Sequence, residues 1–354
     1  MTSAVGKDAE FRALLQLSAA LGANPLRTQA AGGNTSIKRN GVMWIKASGA
    51  WLADALQRDI MTPIRLAPLL EAMEAGDARA ENAVAFIDGA RGASDLRPSI
   101  ETSVHAALPQ AVVVHIHCVD TIALAVRADA EAAIAARLPD LRKGEWIFIP
   151  YVKPGLPLAR AIRSRLTEKT QVIVLGNHGL VVAAETVAEA AVRTERICRA
   201  FAAIPKAAPA PNLDRLASFA EGGDYRLPHD SAAHATATDP RRLAWARLGS
   251  LYPDHVVFLG PGIVEGTIVG GRLRAPALDL PAPMLVLPGL GVALDRGAPK
   301  GTDEMARCLA EVTGRIVDGA PVVPLAPAQE TELVNWEAEK YRRSLNAAPS
   351  ASRP

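Results

Sequence analysis

The sequence predicts an α/β protein, because two kinds of segment alternate along its 354 residues. Some segments repeat apolar residues with helical spacing, whereas others are short apolar runs rich in β-branched residues, which is typical of buried strands. Hydrophobic residues make up 49% of the chain, which is ample for a sizeable core and more than one domain would usually need. We therefore expect two α/β units.

Both kinds of element can be placed in the amino-terminal half. Helical spacing predicts helices over 8–22, 100–108, 156–167 and 186–203, and the start of another over 121–127. Apolar runs predict strands over 42–46, 84–87, 111–117, 146–150, 171–175 and 181–183. Residues 30–36 and 47–50 are expected to be loops, and Pro63 and Pro68 should keep any helix over 60–70 short. Ser99 is a candidate N-cap for the helix that follows it.

Composition changes at Pro205, and prolines and glycines recur up to Pro240, which suits a linker or an extended crossing segment. The elements expected beyond it are a helix over 241–251, strands over 255–259, 267–273, 284–287 and 291–294, a helix over 302–317 with Thr302 as candidate N-cap, and a charged helix over 330–345. We expect a first domain over 1–206, a linker over 207–240, a small α/β domain over 241–345 and a disordered tail over 346–354.

Composition argues against several classes of partner. The formal net charge is +2, aromatic residues are 4% of the chain, and no basic stretch alternates with aromatics, so we expect no nucleic-acid binding. No uncharged apolar stretch reaches the roughly 18 residues of a membrane span, and the first ten residues lack the pattern of a signal peptide. Cys118, Cys198 and Cys308 are too few and too scattered for a disulfide framework, which favours reduced thiols in a cytoplasmic protein.

The residues that could carry chemistry begin with His115 and His117, which end an apolar run. A strand points residues i and i+2 to the same face, so these two imidazoles would lie side by side. Zinc is commonly bound by histidine, with one position left open when the ion is catalytic. Glu101 and His178 are further candidate ligands, although each alone is most simply a helix-start carboxylate and a loop histidine. One carboxylate and three imidazoles would make a metal centre.

Six motifs occur in order over about residues 8–203. They are Gly33-Asn-Thr-Ser-Ile-Lys38, Lys46-Ala-Ser-Gly49, Pro98-Ser-Ile-Glu101 with His105, His115-Ile-His117, Pro150-Tyr151 with Gly155, and Asn177-His-Gly-Leu180. Together they resemble the class II aldolase and adducin family, which includes fuculose- and rhamnulose-phosphate aldolases, a ribulose-phosphate epimerase, sugar-acid decarboxylases and the metal-free adducins. Residues 98–102 and 332–342 are most similar to the aldolase part of bifunctional rhamnulose-phosphate aldolase/dehydrogenases.

The resemblance implies an architecture as well as an activity. It implies that residues 1–206 form a catalytic domain with three α/β/α layers and a mainly antiparallel central sheet, followed by the smaller α/β domain. It also implies a homo-oligomer, with a tetramer favoured, whose sites lie near subunit boundaries.

The resemblance further implies a role for each matching residue. His115, His117 and His178 match the histidines that bind zinc or another divalent metal, and Glu101 matches a carboxylate that serves as ligand or as general acid/base. Tyr151 matches a phenol that handles a proton at the aldehyde oxygen. The positions that hold the donor's phosphate are matched by Asn34, Ser48, Gly49 and Ser99. His105 matches a histidine that is not a ligand, for which packing and hydrogen bonding beneath the site are expected.

One residue departs from the family pattern. Phosphate-binding members usually carry two adjacent hydroxyl residues before the glutamate, and here the second is Ile100, so a carboxylate or an unphosphorylated keto-sugar stays open as the substrate. We expect a metal-dependent aldolase, a carbon–carbon lyase that cleaves a small hydroxy-carbonyl sugar or sugar phosphate through a metal-stabilised enediolate. The alternatives are a decarboxylase or epimerase of a sugar acid or sugar phosphate on the same metal site, and a non-catalytic adducin-like module.

Overall fold

The computed structural model describes residues 8–91, 96–278 and 282–336. These residues form two compact units. The first comprises the described residues through Thr121 together with Glu131–Ala202, and the second comprises Ile122–Ala130 together with the described residues from Ala203 onward. No helix among the described residues is both long and apolar enough to cross a membrane.

A sheet of seven described strands organises the first unit. The strands are β1 (Asn34–Arg39), β2 (Val42–Lys46), β3 (Met61–Arg65), β4 (Val112–Ile116), β5 (Trp146–Ile149), β6 (Val172–Leu175) and β7 (Gly179–Ala184). Their spatial order is β3-β2-β1-β4-β7-β6-β5. Neighbouring strands are antiparallel except β5 and β6, which are parallel. The predicted mainly antiparallel central sheet is therefore confirmed.

Helices cover both faces of this sheet. They are α1 (Ala9–Gly22), α2 (Leu66–Ala75), α3 (Thr102–Ala107), α4 (Val119–Ala125), α5 (Ala130–Ala135), α6 (Leu156–Arg163) and α7 (Val187–Phe201). On one face, Ile45, Val113 and Ile173 pack into a core with residues of α2, α3 and α6. On the other face, α7 contacts β4 and β7, and Phe11 of α1 meets Trp44 edge to face with ring centroids 5.5 Å apart. The three-layer α/β/α architecture is thus confirmed.

Two strands of the sheet run through residues that were not expected to form strands. Residues 30–36 were predicted as a loop, but β1 begins at Asn34, because its polar side chains find hydrogen bonds inside the protein. Residues 60–70 were also misjudged, since β3 passes through Pro63 and a ten-residue helix, α2, begins at Leu66. Proline is tolerated there because β3 lies at the edge of the sheet and Pro68 lies in the first turn of α2.

Two further expectations in this unit are corrected. The strand predicted over 84–87 is a short 3-10 turn, Ala83–Phe86, and only Ile87 forms a bridge, to Ile64 of β3. The helix predicted after Ser99 begins later, with Glu101 as its N-cap, and the Ser99 hydroxyl instead accepts from the backbone N–H of Glu101 over 3.2 Å.

The second unit combines six helices and two small sheets among its described residues. Its helices are α8 (Leu213–Ala220), α9 (Ala235–Thr238), α10 (Pro240–Ala246), α11 (Pro253–Leu259), α12 (Thr302–Arg315) and α13 (Pro327–Asn335). Its strands are β8 (Tyr225–Arg226), β9 (Val264–Glu265), β10 (Thr267–Val269), β11 (Arg272–Arg274), β12 (Met284–Leu287) and β13 (Gly291–Asp295). One sheet has the order β8-β13-β12-β9, and β10 pairs with β11. The expected smaller α/β region is therefore present.

Several details of this unit differ from expectation. Residues 255–259, predicted as a strand, form helix α11, because Pro253 starts a helix in which the following apolar residues are buried. The strand predicted over 267–273 is a hairpin that turns at Gly270 and Gly271, both with positive φ. Residues 207–240 contain α8, β8 and α9. The domain limits stay predictions, and residues 337–345 and the tail lie outside the described part of the chain.

Candidate metal centre

Glu101, His115, His117 and His178 are brought together in the first unit. His115 lies in β4 and His117 directly follows it, while Glu101 is the N-cap of α3 and His178 lies in the turn between β6 and β7. All four side chains are buried, and one ligand atom from each lies within 4.8 Å of all the others. Three separate elements therefore converge on one point at the end of β4.

The spacing of these atoms fits a small cation. His115 Nε2 lies 3.1 Å from His117 Nε2 and 3.3 Å from Glu101 Oε2, and His178 Nε2 lies 3.6 Å from Glu101 Oε1. Atoms that bind one zinc ion at about 2.0–2.2 Å in a tetrahedron are about 3.3–3.6 Å apart. The set of three nitrogens and a carboxylate is also the kind that zinc and other borderline divalent metals prefer.

The environment of His115 leaves the right nitrogen available to a metal. Its Nδ1 lies 3.0 Å from the backbone oxygen of Leu180, which can only accept, so Nδ1 carries the hydrogen and Nε2 presents a lone pair. The close approach of β7 depends on Gly179, where an added Cβ would lie only 2.4 Å from the backbone oxygen of Ile116. A side chain at position 179 would therefore push apart the two strands that bring His178 to His115.

The carboxyl group of Glu101 is ionised although it is buried. Burial raises its pKa, but His115, His178 and His117 together with the Asn34 amide outweigh that effect and lower the pKa to about 2. Its Oε1 accepts no hydrogen bond from any described residue. A buried, ionised carboxylate oxygen in this situation fits a bound cation, which would replace the lost hydration.

Asn34 and Ser99 adjoin this carboxylate. Asn34 is the register partner of His115 across β1 and β4, and its Nδ2 donates to Glu101 Oε2 over 2.9 Å and to the Ser99 hydroxyl over 3.1 Å. Beneath them, His105 of α3 is fully buried and contacts both Asn34 and Ser36. The expected role of His105 beneath the site agrees with these contacts.

Ser48 and Gly49 reach the same place through backbone pairing. Ser48 N–H donates to the backbone oxygen of Arg97 over 2.9 Å, and Ser99 N–H donates to that of Lys46 over 3.1 Å. The Ser48 hydroxyl is buried with no hydrogen-bond partner in the described chain, and Gly49 turns with a φ of 76°. These groups border the Asn34 and Ser99 side chains and leave polar atoms for a ligand.

Tyr151 follows β5 and lies beside the turn that carries His178. A Cβ added at Gly176 would lie 2.9 Å from the backbone nitrogen of Tyr151, so the two segments touch through their backbones. Tyr151 therefore adjoins the centre through the His178 turn, whereas Glu101, the three histidines, Asn34 and Ser99 are joined by their side chains.

Two residues of this region were given no role from the sequence. Lys46 is 2% exposed, and its Nζ donates to the backbone oxygens of Ala31 and Ala50 over 2.8 and 2.7 Å. It thereby ties together the loops that precede Asn34 and follow Ser48. Ser36 was assigned to a loop, although it stands two residues after Asn34 and hence on the same face of β1. A lysine ending an otherwise apolar strand was the signal that could have identified Lys46.

Known proteins are similar to the first unit. Residues 12–204 match the model of the Class II Aldolase and Adducin N-terminal domain. An uncharacterized oxidoreductase, YuxG of Bacillus subtilis (strain 168), is 30% identical over 167 residues, which are 44% of this chain and 24% of that protein. The matched part thus spans about a quarter of the length of that curated relative.

Solved structures resemble the same part of the chain. The N-terminal class II aldolase domain of a conserved protein from Thermoplasma acidophilum is 26% identical, with a TM-score of 0.48, over 55% of this chain and 92% of that one. A sugar-phosphate aldolase from Thermotoga maritima is 15% identical, with a TM-score of 0.42, over 54% of this chain and 90% of that one.

Proposed function

Since this chain belongs to the class II aldolase and adducin family, we propose that it is a metal-dependent aldolase that breaks a carbon–carbon bond in a small hydroxy-carbonyl sugar or sugar phosphate. Membership makes it an enzyme of the class II aldolase type. The observation that carries the proposal is the buried cluster of Glu101, His115, His117 and His178, whose ligand atoms lie within 4.8 Å of one another.

The three histidines would hold zinc or another divalent ion, with Glu101 as a fourth ligand or as an adjacent acid/base. A bound ion would act as a Lewis acid for the negative charge that develops on the donor fragment. Burial of the cluster keeps bulk water from competing for the donors, and the ionised state of Glu101 is the form that a ligand or a general base needs.

The remaining residues would bind the substrate and move protons. In the cleavage direction a hydroxyl loses its proton, the carbon–carbon bond breaks, and its electron pair passes to the donor's carbonyl group. Glu101 would deliver a proton to the donor carbon, and the Tyr151 phenol would handle the proton at the aldehyde oxygen. Donors for the substrate's anionic or hydroxyl groups would be Asn34, Ser48, Ser99 and the turn at Gly49.

A decarboxylase or epimerase of a sugar acid or sugar phosphate is the second candidate. It would use the same cluster, because both reactions also place negative charge next to a carbonyl group. The observation that favours it is Ile100, whose side chain cannot donate a hydrogen bond beside Ser99 and therefore weakens the case for a phosphorylated aldol substrate.

The proposal includes a cytoplasmic homotetramer. Three buried free cysteines suit a reducing compartment, and the family resemblance favours four subunits. Sedimentation of the purified protein would measure the number of subunits directly.

Two measurements test the proposed function. Metal analysis of the purified protein should find one divalent ion per chain, with zinc as the first candidate. Product analysis should then detect an aldehyde and a ketone fragment from a panel of keto-sugars, sugar phosphates and sugar acids. Release of carbon dioxide, or inversion without cleavage, would assign the decarboxylase or the epimerase instead, and the absence of metal uptake would refute all three.

A further inference from the structure

A buried chain of hydrogen bonds leads from β1 to the Glu101 carboxylate. The Ser36 hydroxyl lies 2.7 Å from His105 Nδ1, and the Nε2 on the far side of that ring contacts Asn34 Oδ1. Asn34 Nδ2 then donates to Glu101 Oε2 over 2.9 Å. Ser36 and His105 have no exposed surface, and Asn34 and Glu101 are buried too, so water does not substitute for any member of the chain.

The direction of each bond follows from the chemistry at its two ends. The ionised carboxylate of Glu101 can only accept, so Asn34 must turn its NH₂ group toward it and its oxygen toward His105. That oxygen can only accept as well, so His105 carries its hydrogen on Nε2. Burial lowers the pKa of His105 well below its usual range, which keeps the ring neutral. A neutral ring with Nε2–H has an accepting Nδ1, and the Ser36 hydroxyl therefore donates to it.

We propose that Ser36 and His105 are positioning residues of the metal centre, which hold the Asn34 amide in one orientation and thereby fix how Glu101 presents its carboxylate. With Oε2 tied to Asn34, Oε1 stays turned toward His178. This proposal rests on the metal site of the proposed function. Groups that orient a metal ligand without touching the ion typically change metal affinity about 10- to 100-fold when they are removed.

The first test removes the hydroxyl at the start of the chain. Ser36→Ala should raise the dissociation constant for Zn²⁺, measured by calorimetry on the full-length protein, about 10- to 100-fold. Ser36→Thr keeps the hydroxyl and should restore most of the affinity. The matched control is Ser18→Ala, because Ser18 also has a fully buried hydroxyl, which lies 2.7 Å from that of Thr35 on the opposite face of β1.

The control separates positioning from stability. Both alanine variants lose one buried hydroxyl and should show similar decreases in melting temperature, whereas only Ser36→Ala should bind Zn²⁺ more weakly. Equal Zn²⁺ affinities of Ser36→Ala and Ser18→Ala would overturn the proposal.

A second test needs no metal and no activity. Nitrogen-15 NMR of histidine-labelled protein without metal should show His105 as the Nε2–H tautomer, and Ser36→Ala should alter the Nδ1 signal of this ring. An Nδ1–H tautomer in the wild-type protein would overturn the proposal. Wild-type protein that takes up no Zn²⁺ would overturn both this inference and the proposed function, whereas uptake without sugar cleavage would overturn only the aldolase assignment.

Discussion

Both units bury histidines, and the two sets differ in what their ring nitrogens face. In the second unit, His255 Nε2 lies 2.7 Å from the backbone oxygen of Gly262, and its Nδ1 accepts from the backbone N–H of Leu251 over 3.4 Å. His234 Nδ1 likewise accepts from the backbone N–H of Val292 over 3.1 Å. These rings complete the hydrogen bonding of loops and strands, so their nitrogens are occupied by the backbone.

In the first unit, the Nε2 atoms face one another and a carboxylate. Only the Nδ1 of His115 is given to the backbone, at Leu180, and this contact prepares the opposite nitrogen for a metal. Burial of histidine is therefore a poor signal of function. What distinguishes the first unit is that donor atoms from separate elements converge, and each prediction below compares a residue of this cluster with a residue of the second unit.

The largest contrast should come from deleting one histidine in each unit. His117→Ala should lose the bound metal and all measurable activity while keeping the fold, because three donors remain around a gap. His255→Ala should keep metal and activity but lower the free energy of unfolding by about 1–3 kcal/mol, since it leaves backbone groups of Leu251 and Gly262 without their partner. Metal content, activity and circular dichroism of both variants check this.

The contrast fails if His117→Ala remains active without metal. In that case the cluster would be a structural feature like the histidines of the second unit, and the aldolase proposal would be wrong.

Replacing a carboxylate by an amide should have the next largest effect. Glu101→Gln should lower kcat about 10²- to 10⁴-fold and retain most of the metal, because an amide oxygen can still approach the ion but the side chain can no longer carry a proton. Glu330→Gln is the control, since Glu330 only accepts from the backbone N–H of Ser250 over 3.1 Å, and its kcat should be unchanged. Loss of metal from Glu101→Gln would instead make Glu101 an essential ligand.

Lys46 and Arg242 offer a smaller and closely matched comparison. Each is buried and donates to two backbone oxygens, Lys46 to Ala31 and Ala50, and Arg242 to Ala310 and Lys206. Replacement of either by methionine should lower the melting temperature, since each unpaired buried carbonyl costs about 1–3 kcal/mol. Only Lys46→Met should also raise KM, because its loops border the proposed substrate groups. An unchanged KM would remove Lys46 from the site.

The smallest effect should be a pH dependence of the second unit. Burial lowers the pKa of His255 to about 4 despite the opposing hydrogen bond to Gly262. The unfolded chain, with an ordinary pKa of about 6.5, then binds more protons than the folded one. The stability from the neutral ring is therefore complete above about pH 6.5 and is lost as the pH falls to about 4, by at most about 3 kcal/mol.

Hydrogen exchange of the α11 amides at pH 7 and pH 4.5 would measure this loss. The dependence should shrink in His255→Asn and should not respond to added Zn²⁺, in contrast to the amides of β4. A dependence that is unchanged in the variant would assign it to other groups.

Much of the fold followed from apolar periodicity, and the failures have physical causes. Strand β4 was readily predicted because its residues are apolar and β-branched throughout. Strand β1 was missed because Asn34, Thr35 and Ser36 resemble a turn, and only tertiary contacts supply their hydrogen bonds. Residues 255–259 were assigned to a strand because a short apolar run fits both structures, and the helix-starting Pro253 was not weighed.

The site was predictable in a similar, partial way. The pairing of His115 and His117 follows from strand geometry alone, whereas their meeting with His178 depends on a turn between β6 and β7 and was anticipated only through the family resemblance. The chain from Ser36 to Glu101 was beyond reach, because it joins a strand and a helix that are distant in the sequence and whose contact is set by packing.

Gly179 contributes no side chain, yet it sets the distance between His115 and the turn that holds His178. The size of ion that the cluster can enclose is thus controlled from a position that never touches it. Laboratory evolution toward a larger cation could therefore begin at this residue, leaving every imidazole and carboxylate in place and changing only how far apart the backbone holds them.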